Sequence, residues 1–266
     1  MQVAVIGGGR SGAAIVRAVR ERGCAVTQHS RSTGFDVLAS GAGDGSAAGA
    51  LAFAGADVLV EATGSFTTSR RRATDFFTRS TRTVAAVAER LGARHVLLSI
   101  AQCTRPEVQG YGYFAGKTAQ EALAAEVSPR LTVVRSTQWF EFAEQTLDRM
   151  RVGPIALVPG MTIAPVSLDA VAEVIADVVV GKRGRIGPAP ASGADVVEVA
   201  GPEAMTLWEM TSALPRSRAL PVPVPLPIPG RMGQSFRGGA LLPDPGAAVV
   251  GPRFAEWLEQ GPRRFE

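Results

Sequence analysis

Residues 3–12 read Val3-Ala-Val-Ile-Gly7-Gly8-Gly9-Arg10-Ser11-Gly12. A short β-branched run ends in the spacing G-x-G-x-x-G, and an amphipathic stretch at 12–22 follows, stopped by Gly23. A strand that passes into a helix through such a turn brings backbone N–H groups and the positive helix end to bear on a pyrophosphate. Gly7 permits the tight turn, Gly9 the close approach of a ligand, and Gly12 the packing of helix on strand. A glycine-rich turn without a ligand is the plainer alternative. The placement after the first strand and before an amphipathic helix favours dinucleotide binding, with Arg10 and Ser11 at the phosphates.

Working outward, short apolar runs alternate with helical stretches. Strands are expected at Gln2–Ile6, Ala25–His29, 57–61, 95–99, 131–135 and 195–199. Helices are expected at 74–91, 118–126 and 167–180, the last capped by Ser167. This alternation predicts an α/β fold: a Rossmann-type, doubly wound parallel sheet covered by helices. Phe76, Phe77 and Val84 share the long helix and are expected to pack on the sheet rather than on another subunit. Composition shifts after about residue 183. Residues 1–183, with a core at 1–150, read as the nucleotide-binding domain. Residues 184–266 read as a smaller, proline-rich substrate-binding part that forms one compact unit with the first. Its run Pro221-Val-Pro-Val-Pro-Leu-Pro-Ile-Pro229 cannot be a helix or an inner strand. An extended polyproline path draped over the sheet is expected, with a lip over a pocket or a ligand for a proline-recognising domain as alternatives. At 253–259, Phe254, Trp257 and Leu258 share one helix face that is expected to dock on the core.

Bulk properties narrow the function. The chain has 266 residues, 46% hydrophobic and 20% charged, a globular balance that excludes disorder. No apolar run is long enough to span a bilayer, and the start lacks a leader pattern, so a cytoplasmic protein without a membrane partner is expected. Cys24 and Cys103, with only His29 and His95, offer no disulfide framework and no metal spacing. The net charge is +4, and the one basic run is Arg70-Arg71-Arg72, which argues against a nucleic-acid partner. A small-molecule substrate and a monomer or small homo-oligomer are expected.

After the second strand the chain reads His29-Ser30-Arg31-Ser32 instead of carrying an acid for the adenosine ribose. Arg31 can clamp a ribose 2′-phosphate, with Ser30 and Ser32 as donors, which favours NADP(H) over NAD(H). A solvated loop arginine is the alternative. Asp36 either meets the adenine amino group or caps a turn. Ala62-Thr63-Gly64 ends the strand 57–61 at the crevice edge of the sheet.

Tyrosine and lysine are scarce, two of each, yet one pair forms Tyr113-Phe-Ala-Gly-Lys117. At i, i+4 the two share a helix face. A nearby ammonium lowers a phenol below its ordinary value, so Tyr113 can pass a proton to a carbonyl oxygen as hydride reaches the carbon. Lys117 can also hold the cofactor ribose. A third donor should polarise the oxygen. Ser99, closing the strand 95–99, is the first candidate, and Gln102, Cys103 and Thr104 follow. Ser99 could instead bond a loop backbone, and Cys103 could be a small core residue.

These motifs together resemble the short-chain dehydrogenase/reductase superfamily, and most closely its atypical, NmrA-like branch. The resemblance runs over Val5-Ile-Gly-Gly, Ser30-Arg-Ser-Thr-Gly, Gly55-Ala-Asp-Val, Phe76-Phe-Thr, Arg94-His-Val-Leu-Leu-Ser99, the Tyr113–Lys117 pair, Val134-Arg-Ser-Thr-Gln-Trp-Phe-Glu-Phe142, Pro165-Val-Ser-Leu-Asp169, Val199-Ala-Gly-Pro202 and Phe254-Ala-Glu-Trp-Leu258. It implies NADP(H) across the C-terminal sheet edge and a small C-terminal substrate part. It also implies that residues 135–138 line the nicotinamide and that 138–142, with Gln138, Trp139 and Phe140, approach the substrate. Gln102 is a further substrate candidate. The chain departs from the pattern in two places. The glycine loop is one residue shorter than the usual G-x-x-G-x-x-G, and Gln102 stands near where relatives often keep glycine. The expected function is an NADPH-dependent reductase of a small apolar ketone, aldehyde or quinone. A non-catalytic NADP(H) sensor, and an isomerase, epimerase or dehydratase that uses its cofactor transiently, are the alternatives.

Overall fold

The runs expected as strands assemble into one parallel sheet. The computed structural model describes residues 1–39, 53–128, 130–183, 194–215 and 220–261. Its strands are β1 (Gln2–Ile6), β2 (Ala25–His29), β3 (Val58–Glu61), β4 (Arg94–Ile100), β5 (Leu131–Ser136), β6 (Arg151–Val152), β7 (Ile155–Pro159), β8 (Thr162–Ile163), β9 (Asp195–Ala200), β10 (Met205–Thr206), β11 (Val222–Leu226) and β12 (Ala248–Val249). The α-helices are α1 (Arg10–Glu21), α2 (Arg70–Leu91), α3 (Gly112–Val127), α4 (Phe142–Arg149), α5 (Leu168–Val179), α6 (Leu207–Ala213), α7 (Gly230–Arg237) and α8 (Phe254–Gln260).

Seven strands pair in the order β12-β9-β5-β4-β3-β1-β2, all parallel. The chain leaves β1 for β2 on one side and returns to β3 on the other. That reversal opens a crevice at the C-terminal ends of β1 and β3, where doubly wound sheets bind their ligands. Helices α1 and α5 cover one face over Val3, Val5, Val58, Val60 and Val197. Helices α2 and α3 cover the other. The N-cap expected at α5 is present, Ser167 accepting from the Ala170 N–H at 3.2 Å. Phe77 and Val84 are buried in α2 as expected.

Two helices start earlier than their apolar periodicity suggested. Ser69 caps α2, accepting from the Arg72 N–H, so the Arg70–Arg72 run is the first turn of that helix. Helix α3 begins at Gly112, which puts Tyr113 and Lys117 on the same helix. Gly116 sits between them because α2 lies against it: a Cβ there would stand 2.6 Å from the Ala73 Cβ.

A second hydrophobic core joins α4, α6, α7 and α8 to the three-stranded sheet β11-β7-β6 and the β8–β10 pair. Phe254 and Trp257 dock into it against Phe140, as the spacing of the tail predicted. The proline run departs from expectation. It is not draped over the sheet; residues 222–226 form the edge strand β11, parallel to β7. Ladder parity explains how. Val222 donates to Pro154 O at 2.9 Å, and Leu226 O accepts from Gly160 N at 3.0 Å. The even-numbered residues therefore face β7, and Pro223 and Pro225 fall where no donor is needed.

This parity makes a test. Val224→Pro removes a ladder donor and is expected to cost about 1–3 kcal/mol, whereas Pro223→Ala should stay within about 0.5 kcal/mol. Thermal unfolding of both variants reads the difference. Equal losses would mean the register is not the one described.

Candidate active site

The strand ends open into one cleft of about 1430 Å³. At one end lie Gly7, Gly8, Gly9, Arg10 and Ser11, beside Ser30, Arg31 and Ser32. The glycines are there for steric reasons. A Cβ on Gly7 would stand 2.6 Å from Ala62 O, and one on Gly8 would stand 2.6 Å from the Ser30 Cβ. A Cβ on Gly9 would meet nothing within 4 Å, so that position is open to a ligand. Gly12 does not line the cleft. A Cβ there would lie 2.1 Å from Gly7 O, so this glycine lets α1 pack against the turn. The N-terminus of α1 follows directly, with Gly9 as an N-cap that makes no side-chain bond, an arrangement suited to an anionic group such as a pyrophosphate.

Beyond β2, Ser30 and Ser32 hold each other at 2.8 Å between hydroxyls. Arg31 is exposed beside them and has no carboxylate partner among the described residues. Asp36 caps a turn, accepting from the Leu38 N–H at 2.9 Å, and also borders the cleft. Sequence reasoning missed His29 and Phe35 here. They line the same end and pack edge-on at 5.9 Å between ring centroids. The turn after β3 adds Ala62, Thr63 and Gly64.

Ser99, Tyr113 and Lys117 all line the cleft. Lys117 is buried. Its Nζ donates to Leu98 O at 2.9 Å and to Gln120 Oε1 at 2.8 Å, and lies 4.5 Å from the Phe77 ring centroid. Burial lowers it to about 8, against the opposing pull of Glu61. Glu61, at the end of β3, is fully buried. It accepts from Thr63, Ser80, Thr81 and Gln120 at 2.9–3.1 Å, and His95 Nε2 lies 3.2 Å away. Burial pushes its carboxyl up, but His95, Thr81 and the Lys117 charge carry it below the ordinary range. A continuous hydrogen-bonded chain thus joins Lys117 through Gln120 to Glu61.

The phenol of Tyr113 behaves differently from expectation. Burial pushes it up to about 12, with Cys103 and Tyr111 adding to the rise. Lys117 is not among the groups that lower it, its Nζ being directed at Leu98 O and Gln120 Oε1; the cation that opposes the rise is Arg149. Among the described residues Ser99 bonds no loop backbone; its hydroxyl lies 3.9 Å from the Cys103 sulfur. The Cys103 thiol is buried beside the Glu121 carboxylate and pushed up, so it is an unactivated core residue.

Other expected residues divide. Gln138 and Trp139 line the cleft, together with Ser136 and Thr137, and Gln138 Oε1 is buried without a protein partner. Phe140 does not line it; the ring is locked between Phe254 and Trp257. Arg135 is turned away into a two-pronged pair with Glu121. Gln102 is also absent from the walls. Its φ of +63° takes the left-handed turn that glycine would favour, and its amide is drawn to Glu198 at 3.1 Å. Among the described residues no cluster of His, Cys, Asp and Glu could hold a metal, and no helix is long and apolar enough to cross a membrane.

No protein-family model and no curated protein matches the chain in sequence. Solved structures do match it in shape. A dTDP-4-dehydrorhamnose reductase from Clostridium acetobutylicum superposes with a TM-score of 0.61 at 13% identity, over 85% of this chain and 84% of that one. The Bacillus anthracis dTDP-4-dehydrorhamnose reductase, in complex with NADP, gives 0.59 at 14% identity over 85% and 84%. A short-chain dehydrogenase/reductase superfamily protein from Agrobacterium tumefaciens, with bound NAD, gives 0.55 at 16% over 85% and 86%. The fold is the one these enzymes share.

The desolvated lysine makes stability depend on pH. Its folded-state value of about 8 lies below the ordinary 10.5, so the unfolded chain binds more protons between the two. The stability of the wild type relative to Lys117→Met should therefore rise by about 3 kcal/mol from neutral pH to the upper end of that window. Urea unfolding of both proteins across that range checks this. Parallel curves would mean that the ammonium is not desolvated in the fold.

Proposed function

We propose that the protein is an NADPH-dependent reductase of a carbonyl compound, of the short-chain dehydrogenase/reductase type. One observation carries the reading: a single cleft at the C-terminal edge of the parallel sheet is lined by the glycine turn, the Ser30–Arg31–Ser32 loop, Ser99 of β4, and Tyr113 and Lys117 of α3. The solved structures of the same fold, with NADP in one and NAD in another, support it.

The turn from Gly7 to Ser11 would hold the pyrophosphate, and Arg31 a ribose 2′-phosphate. Ala62, Thr63 and Gly64 would flank the far side, with the unpartnered Gln138 at the nicotinamide end. When bound, the dinucleotide supplies the hydride. Tyr113 keeps its proton through neutral pH, because burial raises it to about 12. A phenol that stays protonated is the form needed to donate to a carbonyl oxygen. Ser99 donates a second hydrogen bond to that oxygen. Lys117, which lines the same cleft and is held by Gln120 and Leu98 O, would bind the ribose of the dinucleotide. The sensor alternative needs no proton donor and is not favoured by the Tyr113 placement.

Calorimetric titration with NADPH and with NADH tests the cofactor. NADPH should bind at micromolar concentration and NADH at least about tenfold more weakly, and Arg31→Ala should remove most of that gap. Absence of binding by either would end the dinucleotide reading. In turnover, Tyr113→Phe should cut the rate by about 100-fold with NADPH affinity nearly unchanged. An unchanged rate would remove Tyr113 from the proton-donor role.

A further inference from the structure

Apolar side chains dominate the end of the cleft away from the glycine turn, with Tyr111, Gln145 and Thr146 as its neutral polar groups. Phe142, Met150, Met161, Met232, Phe236 and Leu241 form its walls. Three methionines give a surface that adapts to a planar ligand, and aromatic edges give it stacking partners. The other charged side chains of the cleft are accounted for: Arg10, Arg31 and Asp36 belong to the glycine-turn end, and Lys117 is buried and bonded to Leu98 O and Gln120. One charge remains at the apolar end. Arg149 closes α4 and lies over the Phe66 ring, 4.3 Å from guanidinium carbon to ring centroid.

Both residues of that pair line the cleft. Arg149 comes from the second core's helix and Phe66 from the loop after β3, and Phe66 is 52% exposed. Arg149 has no carboxylate or carbonyl partner among the described residues. A guanidinium lying over an aromatic face keeps its in-plane N–H groups free for a planar, two-oxygen acceptor. Its charge also reaches inward, opposing the burial that raises Tyr111 and Tyr113. An anion held at Arg149 would therefore leave the rest of its molecule over the apolar walls and near the phenol.

We infer that the substrate is an aromatic or similarly apolar carbonyl compound bearing a carboxylate, and that Arg149, stacked on Phe66, binds this carboxylate. The inference rests on the reductase reading only for the carbonyl; the anion site is read from binding alone.

The test compares 2-naphthoate with 2-naphthamide, two ligands of one ring system that differ in charge. Both are titrated into the full-length protein, with and without NADP⁺, by ligand-observed NMR. Naphthoate should bind about tenfold or more tightly than naphthamide, and Arg149→Met should bring the ratio near one. Equal affinities in the wild type, or a ratio that survives Arg149→Met, would overturn the inference. So would dTDP binding more tightly than naphthoate in the NADP⁺-loaded protein with the same dependence on Arg149, which would assign the arginine to a nucleotide diphosphate. Arg149 is exposed, so the variant should fold, and its unfolding midpoint is measured alongside. If NADPH neither binds nor is oxidised with any carbonyl compound, the reductase reading fails while the naphthoate ratio still decides the anion site.

Discussion

The carboxylate of Glu61 is the constraint on which the middle of the molecule depends. It is fully buried at the end of β3, and an isolated carboxylate in that place would cost several kcal/mol. The fold offsets the cost by surrounding it. Ser80 and Thr81 donate from α2, Gln120 from α3, Thr63 from the next turn of the chain, and His95 approaches from β4. Two neighbouring strands and both helices of one layer are thereby held to one point. The same arrangement positions Lys117, because Gln120 donates to Glu61 with its nitrogen and accepts from Lys117 with its oxygen. A carboxylate outside the cleft lining thus sets where the lysine head can lie.

Close backbone approach is the second constraint, and it works at two places beside the cleft. Gly12 brings α1 onto the glycine turn, and Gly116 brings α3 onto α2. Each contact sits beside a motif with a chemical reading, the phosphate turn in one case and the Tyr113–Lys117 pair in the other. The spacing of those motifs is therefore shared between packing and function. In the Tyr113-Phe-Ala-Gly-Lys117 run, the outer residues face the cleft while the glycine serves the helix interface.

Burial decides the protonation states more than nearby charge does. Tyr113 and Lys117 move in opposite directions, the phenol up to about 12 and the ammonium down to about 8, because each neutral form is preferred away from water. The phenol is left protonated at neutral pH. A simple pairing of ammonium and phenol, the expectation from i, i+4 spacing, gives way to a lysine that is satisfied elsewhere. Similar logic removes Arg135 and Gln102 from the cleft. Their polar groups find carboxylates in Glu121 and Glu198, at lower cost than facing an apolar cavity.

The doubly wound sheet, the glycine turn, the strand ends that carry Ala62 and Ser99, and the capped helix after Ser167 were all legible in the sequence. These are local patterns: periodicity, turn residues and caps act over a few positions, so they survive without knowledge of the rest of the chain. The route of the proline run was only half legible, since alternating prolines exclude an inner strand but do not reveal a free edge such as that of β7. What only the tertiary structure decided is which side chains share a space. Phe140 looked like a substrate contact but is packed among Phe254 and Trp257, more than 110 positions away in the chain. Arg149 and Phe66, from separate lobes, carried no sequence signal at all. Their meeting follows from packing between distant segments, and packing, unlike a turn or a cap, is a property of the folded chain as a whole.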